Sequence, residues 1–360
     1  MPNKNIFCLA TVRQIDMPKL QRLPLTVQTA YADLLARIQE DTVLEIEGTP
    51  TLRERGGRKY WYAIQRYASN TVETYLGPDT EELRERIERV RELNEDRKRR
   101  AKQRSDLVRM CREGGVPNVD GQTGKVLRAL AKAGAFRLRA VVVGTHAFRC
   151  YPGLLGARMP EAIAVTEDID VAAFQSIAIA LDAYLDPALG EALRQIGPFD
   201  DRPNLYQHPT AWRDAENETL VELLTPNEGA DRDEPLEMPA LGAFARPLRF
   251  LDYLIHEPIQ AVVLYRSGVL INVPQPARYA IHKLIVATRR VQNAQIKAAK
   301  DIAQATELIR VLSEDRPDDL EAAYREAMER GPSWRRHLEQ GIRRLPAEAR
   351  ERLVDAIDPG

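Results

Sequence analysis

The spacing of apolar residues predicts a helix and a small sheet in the N-terminal part of the chain. Apolar positions recur every three to four residues over 25–40, which is typical of an amphipathic helix. Residues 51–67 alternate around Gly56-Gly57 and residues 71–78 continue the alternation, so we expect an antiparallel sheet. Over 80–112, Glu and Arg are frequent and apolar residues return at helical spacing, which predicts one long exposed helix.

The middle of the chain contains short apolar runs separated by loops. The predicted strands cover 138–143, a run that ends in Asp168-Ile-Asp170, 219–226, and a hairpin of 261–264 with 268–273. After Asp170 we expect an apolar helix that extends to about residue 185. Strands and helices therefore occur together in this part of the chain.

Helical spacing dominates from residue 277 to the end of the chain. The predicted helices cover 277–291, 295–313 and 318–330, and two shorter helices follow. The fold class is therefore α/β (α+β). We expect three parts, which are an N-terminal accessory module (1–113), a core (114–275) and a C-terminal helical domain (276–360). The first boundary lies where Gly114-Gly-Val-Pro interrupts the long helix.

Composition changes this picture little. Of the 360 residues, 44% are hydrophobic and 29% are charged, which are ordinary values for a soluble globular protein. The 52 basic and 53 acidic residues give a net charge of -1, so a polyanion could be bound only by a local basic patch. The three cysteines form no CxxC motif, which argues against structural zinc and against a disulfide framework.

The chain has no predicted membrane segment. No apolar run approaches the roughly 20 residues that a membrane helix needs, and the first residues lack the apolar stretch of a signal peptide. We therefore expect a cytoplasmic protein that does not contact a membrane.

Three acidic residues are candidates for metal binding. Asp168 and Asp170 are two residues apart, so on a strand both side chains point to the same face and could bind one divalent metal. Glu222 could supply a third oxygen, because an ionised side chain inside an apolar strand is costly unless it faces a metal, a partner or an open cleft. The alternative is that Glu222 lies on the solvent face of a half-buried strand.

The Gly-Thr turn after the strand at 138–143 is a candidate for phosphate binding. Gly144 allows the backbone to approach a phosphate group, and Thr145 contributes a hydroxyl beside the amides of the turn. His146 could contact a phosphate or a base, although a histidine at the start of such a helix also serves as a capping or packing residue. Together with the acids, the turn predicts a site for magnesium and a nucleoside triphosphate.

Several segments resemble those of a known superfamily. The segments that carry the likeness are Val142–Phe148, Thr166–Asp170, Val221–Pro226, Tyr60–Tyr62, Tyr75–Pro78 and Gly124–Leu130. The first three are similar to the motifs of the polymerase-beta nucleotidyltransferase superfamily. More specifically, the chain resembles a bacterial family of nucleotidyltransferase-fold proteins related to type IV toxin (AbiEii/MenT-like) enzymes, over roughly residues 25 to 310.

The resemblance implies a minimal nucleotidyltransferase core with a mixed sheet, and it implies roles for particular residues. Asp168, Asp170 and Glu222 would bind Mg²⁺ or Mn²⁺. Lys283 would meet the triphosphate, and Asp301 would orient the lysine or the acceptor. The implied reaction is metal-dependent transfer of a nucleoside monophosphate from a triphosphate, such as ATP or CTP, to a hydroxyl acceptor.

The resemblance also implies partners. RNA is the expected acceptor, with the 3′ end of tRNA as one candidate, and a toxin or defence role with a cognate antitoxin protein would follow from the toxin-like relatives. The sequence leaves two alternatives open. One is transfer to a protein or a small molecule, and the other is a catalytically idle nucleic-acid-binding subunit of a defence complex.

Two basic clusters are candidates for nucleic-acid contact. Basic residues close to Lys283 could extend a positive rim around the site: Arg289, Arg290, Lys297 and Lys300. The predicted hairpin interleaves arginines with aromatic residues around Trp61, which suits backbone contact and base stacking. Strand alternation also predicts that half of these aromatics lie in the core of the module.

Overall fold

A computed structural model describes most of the chain. The described residues are 20–42, 49–55, 58–67, 70–164, 168–175, 185, 187–227, 229, 231–290 and 295–358. Thr166, the Gly56-Gly57 turn and most of the helix predicted to follow Asp170 lie outside these ranges.

The N-terminal part consists of two helices and a three-stranded sheet, as predicted. Its elements are α1 (Leu25–Thr42), β1 (Thr49–Arg55), β2 (Arg58–Tyr67), β3 (Asn70–Pro78) and α2 (Glu81–Glu113). The strands pair antiparallel in the order β1-β2-β3. Trp61 is buried, and its indole N–H donates a 2.8 Å hydrogen bond to Asp79. Trp61 therefore lies in the interior of the module. It is one of the aromatics that strand alternation places in the core and not at the surface, where it could stack on a base.

A seven-stranded mixed sheet forms the centre of the molecule. Its strands are β4 (Val141–Val142), β5 (Asp168–Ala172), β6 (Phe199–Asp201), β7 (Ala211–Asp214), β8 (Leu220–Pro226), β9 (Leu236–Met238) and β10 (Ala243–Leu248). The main path is β4-β5-β8-β10-β9, and the β6–β7 hairpin branches from β8. Strand β8 runs parallel to β5 and β10, whereas β4 and β9 are antiparallel to their neighbours.

Two strand predictions need correction. The strand predicted to end at Asp170 continues to Ala172, and β5 covers Asp168–Ala172. The reason is that the buried residues after Asp170 pair with β4, Val171 with Val142 and Ala172 with Val141. The strand predicted over 138–143 is reduced to Val141–Val142, because this pairing covers two residues only.

Short helices connect the strands to the surrounding structure. They are α3 (Gly121–Ala133), α4 (Gly144–Phe148), α5 (Tyr151–Leu155), α6 (Leu189–Arg194) and α7 (Leu251–Leu254). Helix α3 begins where Asp120 caps it, because the carboxylate accepts 2.9 Å hydrogen bonds from the backbone N–H groups of Gln122 and Thr123. The predicted hairpin is present as β11 (Ile259–Val263) and β12 (Val269–Val273).

The C-terminal part is helical, as predicted. Its helices are α8 (Pro276–Arg289), α9 (Gln295–Asp315), α10 (Pro317–Glu329), α11 (Pro332–Ile342) and α12 (Ala347–Ile357). These helices and the central sheet share one hydrophobic core, which includes Ile169 of β5, Leu284 of α8 and Leu312 of α9. The mixed α/β fold class is thus confirmed. The boundaries at 114 and 276 stay predictions.

A second hydrophobic cluster attaches α1 to the hairpin. It contains Leu34 of α1, Val108 of α2 and Val262 of β11. The Tyr31 hydroxyl accepts a 3.0 Å hydrogen bond from the backbone N–H of Val262 and donates a 3.2 Å bond to the carbonyl of the same residue. The first helix is therefore held against the body of the protein by apolar packing and by a buried polar contact.

None of the helices within the described ranges is both long and apolar enough to cross a lipid bilayer.

Candidate active site

The predicted acids occupy one face of the central sheet. Strands β5 and β8 pair so that Asp168 lies beside Leu220 and Asp170 lies beside Glu222. Neighbouring residues of two paired strands point to the same face, and adjacent strands are about 4.8 Å apart. Asp168, Asp170 and Glu222 therefore form an acidic face, whereas the alternating residues Ile169 and Val221 are buried on the other side of the sheet.

Like charges are crowded on the acidic face. The pKa of Asp170 is raised to about 6, first by burial and then by the charges of Glu222 and Asp168. Lys283 and Arg246 act in the opposite sense but do not cancel the effect. A group of carboxylates in which one pKa is raised in this way is a favourable place for a cation, because a cation removes the repulsion between them.

Gly144 lies directly against the acidic face. The N–H of Val143 donates a 2.9 Å hydrogen bond to the Asp170 carbonyl, which holds the start of α4 beside β5. Gly144 has a φ of 64°, and a Cβ atom at this position would lie 2.7 Å from Asp170 Oδ2. Glycine is therefore required by the backbone conformation and by the space available. The Gly-Thr turn and the acidic face therefore lie next to each other, as predicted.

Tyr279 of α8 supports the turn from the other side. Its hydroxyl lies 2.8 Å from the Gly144 carbonyl and 2.9 Å from Gln304 Oε1, and it donates its proton to one of them. Gln304 in turn donates a 2.7 Å hydrogen bond to the carbonyl of Ile163, just before β5. The C-terminal helices thus help to fix the positions of Gly144 and Ile163.

Lys283 and Asp301 form a buried ion pair, here called the lysine–aspartate pair. Lys283 Nζ lies 2.6 Å from Asp301 Oδ1, and the two side chains are 10% and 4% exposed. Arg290 adds contacts of 3.1 Å and 3.0 Å from Nε and Nη2 to Asp301 Oδ2. The Lys283 ammonium also lies over the Tyr279 ring at 5.2 Å. Asp301 is thus in direct contact with Lys283, and its expected role in orienting the lysine or the acceptor stays a prediction.

Arg246 of β10 was missed by sequence reasoning. Its Nε and Nη2 donate hydrogen bonds of 2.7 Å and 2.9 Å to the two carboxylate oxygens of Glu222. The apolar and polar alternation of Ala243–Leu248 is a strand signal, but Pro247 and the shortness of the run conceal it. A lone arginine among these apolar residues could have indicated a partner for the lone glutamate of β8.

Two histidines near the site are buried and neutral. The ring of His146 is 2% exposed, and burial lowers its pKa to about 4. Burial also lowers the pKa of His282 to about 3. Neither ring nitrogen of His146 has a hydrogen-bond partner within the described part of the chain. The packing alternative suits this position, and nucleotide contact by His146 stays a prediction.

The donor set suits a hard cation only in part. Carboxylate oxygens are the correct ligand type for Mg²⁺, and one or two carboxylates together with substrate phosphates are sufficient for it. Both Glu222 oxygens, however, are bonded to Arg246. Considering the described residues alone, no group of three or more His, Cys, Asp or Glu side chains is arranged to hold a metal ion. Asp168 and Asp170 therefore fit the metal, and a third ligand is not in place.

A protein-family comparison decides the class of the molecule. The family model described as Nucleotidyltransferase matches residues 121–329, which is more than half of the chain. The chain belongs to this nucleotidyltransferase family. A second family model, described as a domain of unknown function, matches residues 19–85 of the nucleotidyltransferase. No curated protein and no solved structure matches the chain.

The match covers the whole candidate site of the nucleotidyltransferase. The matched range runs from α3 to α10, and it includes the Gly-Thr turn, the acidic face, Arg246 and the lysine–aspartate pair. Membership of the nucleotidyltransferases, predicted from the sequence motifs, is confirmed, and with it the transfer of a nucleoside monophosphate from a nucleotide substrate. The closer kinship with AbiEii/MenT-like enzymes stays a prediction.

Proposed function

We propose that the protein is a Mg²⁺-dependent enzyme that transfers a nucleoside monophosphate from a nucleoside triphosphate to a hydroxyl group of RNA. The observation that carries this proposal is the register of β5 with β8, which sets Asp170 beside Glu222 and next to Gly144. An acidic face beside a glycine turn suits a triphosphate that is bound together with a divalent cation.

Asp168 and Asp170 are the proposed metal ligands. Both belong to β5, and the raised pKa of Asp170 reflects burial together with like charges that a cation would relieve. When bound, Mg²⁺ supplies charge neutralisation at the phosphate oxygens during transfer. Mn²⁺ has the same ligand preferences and is the proposed substitute. Glu222 is the proposed third acidic residue of the site.

The triphosphate is proposed to lie between the Gly-Thr turn and α8. Gly144 has no side chain, so backbone amides of the turn can approach phosphate oxygens, and Thr145 adds a hydroxyl. Lys283 carries the positive charge proposed to face the phosphates, and its bond of 2.6 Å to Asp301 limits the positions of its ammonium group. The residues of the chain therefore bind and orient the substrate, which is the main requirement in phosphoryl and nucleotidyl transfer.

The proposed reaction needs no side-chain nucleophile. The acceptor hydroxyl oxygen forms a bond to the α-phosphorus, the bond between the α-phosphorus and the bridging oxygen breaks, and pyrophosphate leaves. The hydroxyl proton passes to a base or to water. Buried Cys150 and Cys111 have pKa values raised by burial, so neither thiol offers a competing nucleophile.

The proposed acceptor is RNA, and the 3′ end of tRNA is one form of it. Basic residues at the end of α8 and the start of α9 support a polyanionic acceptor: Arg289, Arg290, Lys297 and Lys300. Lys297 is exposed. Burial and the nearby charge of Lys283 lower the pKa of Lys300, and the charge of Asp168 acts in the opposite sense. The resemblance to toxin-like enzymes adds the proposal of a growth-arresting activity that a cognate antitoxin protein restrains.

A labelling experiment tests this function. The purified protein is incubated with each nucleoside triphosphate, radiolabelled at the α-phosphate, in the presence of a cell lysate and Mg²⁺. We expect label that is removed by ribonuclease and resists protease, and we expect none with the Asp170→Asn variant. Asp200→Asn, which changes an exposed aspartate of β6, is the matched control and should label as the wild type does.

The other outcomes of this experiment are equally informative. Label that protease removes would indicate a protein acceptor, and label on small molecules would indicate a small-molecule acceptor. No label with any triphosphate, combined with salt-dependent RNA binding, would indicate an idle nucleic-acid-binding subunit and would contradict the proposed transfer.

A further inference from the structure

Glu222 is fully engaged by Arg246 on the open face of the sheet. The guanidinium donates one hydrogen bond to each carboxylate oxygen, at 2.7 Å and 2.9 Å. This is the bidentate geometry in which an arginine and a carboxylate interact most strongly. The two side chains are 46% and 21% exposed, so both remain within reach of a ligand that enters from solvent.

The ion pair competes with metal binding by Glu222. A cation bound to Glu222 would need at least one of the oxygens that Arg246 occupies, and it would lie next to a second positive charge. The register of β5 with β8 nevertheless sets Glu222 beside Asp170, where a third oxygen ligand is expected. The guanidinium of Arg246 and a metal ion would therefore compete for the same carboxylate.

We propose that Arg246 is a positioning residue that holds Glu222 away from the metal until a nucleoside triphosphate binds. In the nucleotide-free enzyme, Asp168 and Asp170 would bind the cation without Glu222. When the triphosphate enters, Arg246 exchanges the carboxylate for phosphate oxygens and Glu222 becomes the third ligand. The inference rests on the proposed function and adds an order of assembly to it.

The exchange is physically reasonable because Arg246 keeps a bidentate anionic partner throughout. A guanidinium matches the geometry of phosphate oxygens as well as that of a carboxylate, so breaking the pair with Glu222 does not leave the arginine without a counter-charge. Arg246 belongs to β10 and Lys283 to α8, and the charges of both act on Asp170. The triphosphate would thus be met by cations from two separate elements.

A purely structural role for Arg246 is the alternative. The pair also ties β10 to β8, so its loss could change stability without any effect on metal binding. Binding of Mn²⁺ to the full-length protein in the absence of nucleotide separates the two roles, because no catalytic turnover is involved. The bound fraction is measured from the electron paramagnetic resonance signal of free Mn²⁺, and thermal unfolding verifies that each variant is folded.

The expected result is a gain in metal affinity when the arginine is removed. A partly exposed ion pair of this kind is worth on the order of 1 kcal/mol, so Arg246→Met should strengthen Mn²⁺ binding about five-fold. Arg246→Lys keeps the charge but makes fewer hydrogen bonds to Glu222, and it should give a smaller gain. The gain should disappear when Arg246→Met is combined with Glu222→Gln, compared with Glu222→Gln alone.

Removal of the arginine should have the opposite effect on the affinity for nucleotide. Arg246→Met should weaken binding of a non-hydrolysable triphosphate analogue in the presence of Mn²⁺, since the phosphate partner is lost. The same analogue should bind the Asp200→Asn control as it binds the wild type. Stronger metal binding together with weaker nucleotide binding is a combination that a structural role would not produce.

Three results would overturn the inference. The first is a folded Arg246→Met variant with unchanged Mn²⁺ affinity. The second is an equal gain in the Glu222→Gln background, which would indicate a general effect of removing one positive charge. In both cases the proposed function would still stand if the Asp170→Asn variant no longer bound Mn²⁺. The third is absence of Mn²⁺ binding in every variant, with and without nucleotide, which would overturn the proposed function as well.

Discussion

The acidic face and the lysine–aspartate pair are two ionic groups of the same site, and their charges are balanced in different ways. Asp301 is buried but lies within 3.1 Å of both Lys283 and Arg290, so its negative charge is matched inside the protein. On the acidic face, Asp170 is crowded by two further carboxylates, and its pKa is raised to about 6. The charges of the helical part of the site are therefore balanced without a ligand, whereas the like charges on the face of the sheet would be balanced by a bound cation.

The largest expected effect concerns the acidic face. Asp170→Asn should lower the rate of transfer by at least about a thousand-fold, because metal-ion stabilisation of the transition state is worth several kcal/mol. The same change removes one of the crowded negative charges, so the metal-free protein should melt at a higher temperature. Transfer of α-labelled triphosphate and thermal unfolding in EDTA measure the two effects. Loss of activity without a rise in melting temperature would contradict the repulsion between the carboxylates of the acidic face.

Removal of the negative charge from the lysine–aspartate pair should lower the stability of the protein, whereas its removal from the acidic face should raise it. Asp301→Asn leaves two cations without their buried partner and should lower the free energy of unfolding by about 3–5 kcal/mol. Lys283→Met should cost less, because Arg290 still pairs with Asp301. Urea unfolding measures both. Asp96→Asn, which breaks an exposed pair with Arg99, is the control and should cost at most about 1 kcal/mol. If Asp301→Asn lowers the free energy of unfolding no more than this control does, the lysine–aspartate pair does not balance a buried charge.

Gly144 connects the two groups, and a methyl group added there should disturb the acidic face. Gly144→Ala should cost about 1–3 kcal/mol of stability, since the backbone is in the left-handed region. It should also reduce transfer activity, because the new Cβ atom would displace the Asp170 carboxylate. Gly121→Ala is the matched control, since a Cβ atom at Gly121 meets no atom within 4 Å. Equal effects of the two changes would show that crowding at Gly144 has no consequence.

The smallest effect at neutral pH is expected from the buried histidine beside the turn. The pKa of His146 falls from 6.5 to about 4 on folding, so the unfolded chain binds a proton that the folded protein does not. Its contribution to stability is therefore present above pH 6.5 and is lost as the pH falls toward 4. His146→Leu should make stability less sensitive to acid in this range. A pH profile of His146→Leu identical to that of the wild type would contradict this expectation.

Local sequence patterns predicted much of the site. The spacing of Asp168 and Asp170, and the single acid inside the apolar strand of Glu222, both reflect the alternation of side chains along a strand, which sequence displays directly. The C-terminal helices were also predicted within a few residues, because their apolar positions repeat regularly.

Features that depend on tertiary pairing were not predictable in the same way. The predicted end of β5 at Asp170 was wrong, since the residues that extend this strand to Ala172 are defined by their partners on β4 and β8. Arg246 was missed for the same reason. Its partner Glu222 is 24 positions away, and the two residues meet only because β10 aligns parallel to β8. Local patterns thus indicate candidate ligands, and strand pairing decides which cation each ligand meets.

The central claim is that Asp168 and Asp170 bind a divalent cation beside the Gly-Thr turn. Anomalous diffraction from crystals grown with Mn²⁺ and a non-hydrolysable triphosphate analogue tests it most directly. The account predicts a Mn²⁺ peak between the two aspartates, with the triphosphate next to Gly144 and Glu222 released from Arg246. A bound analogue with no metal at these aspartates, or with Mn²⁺ at another position, would contradict it.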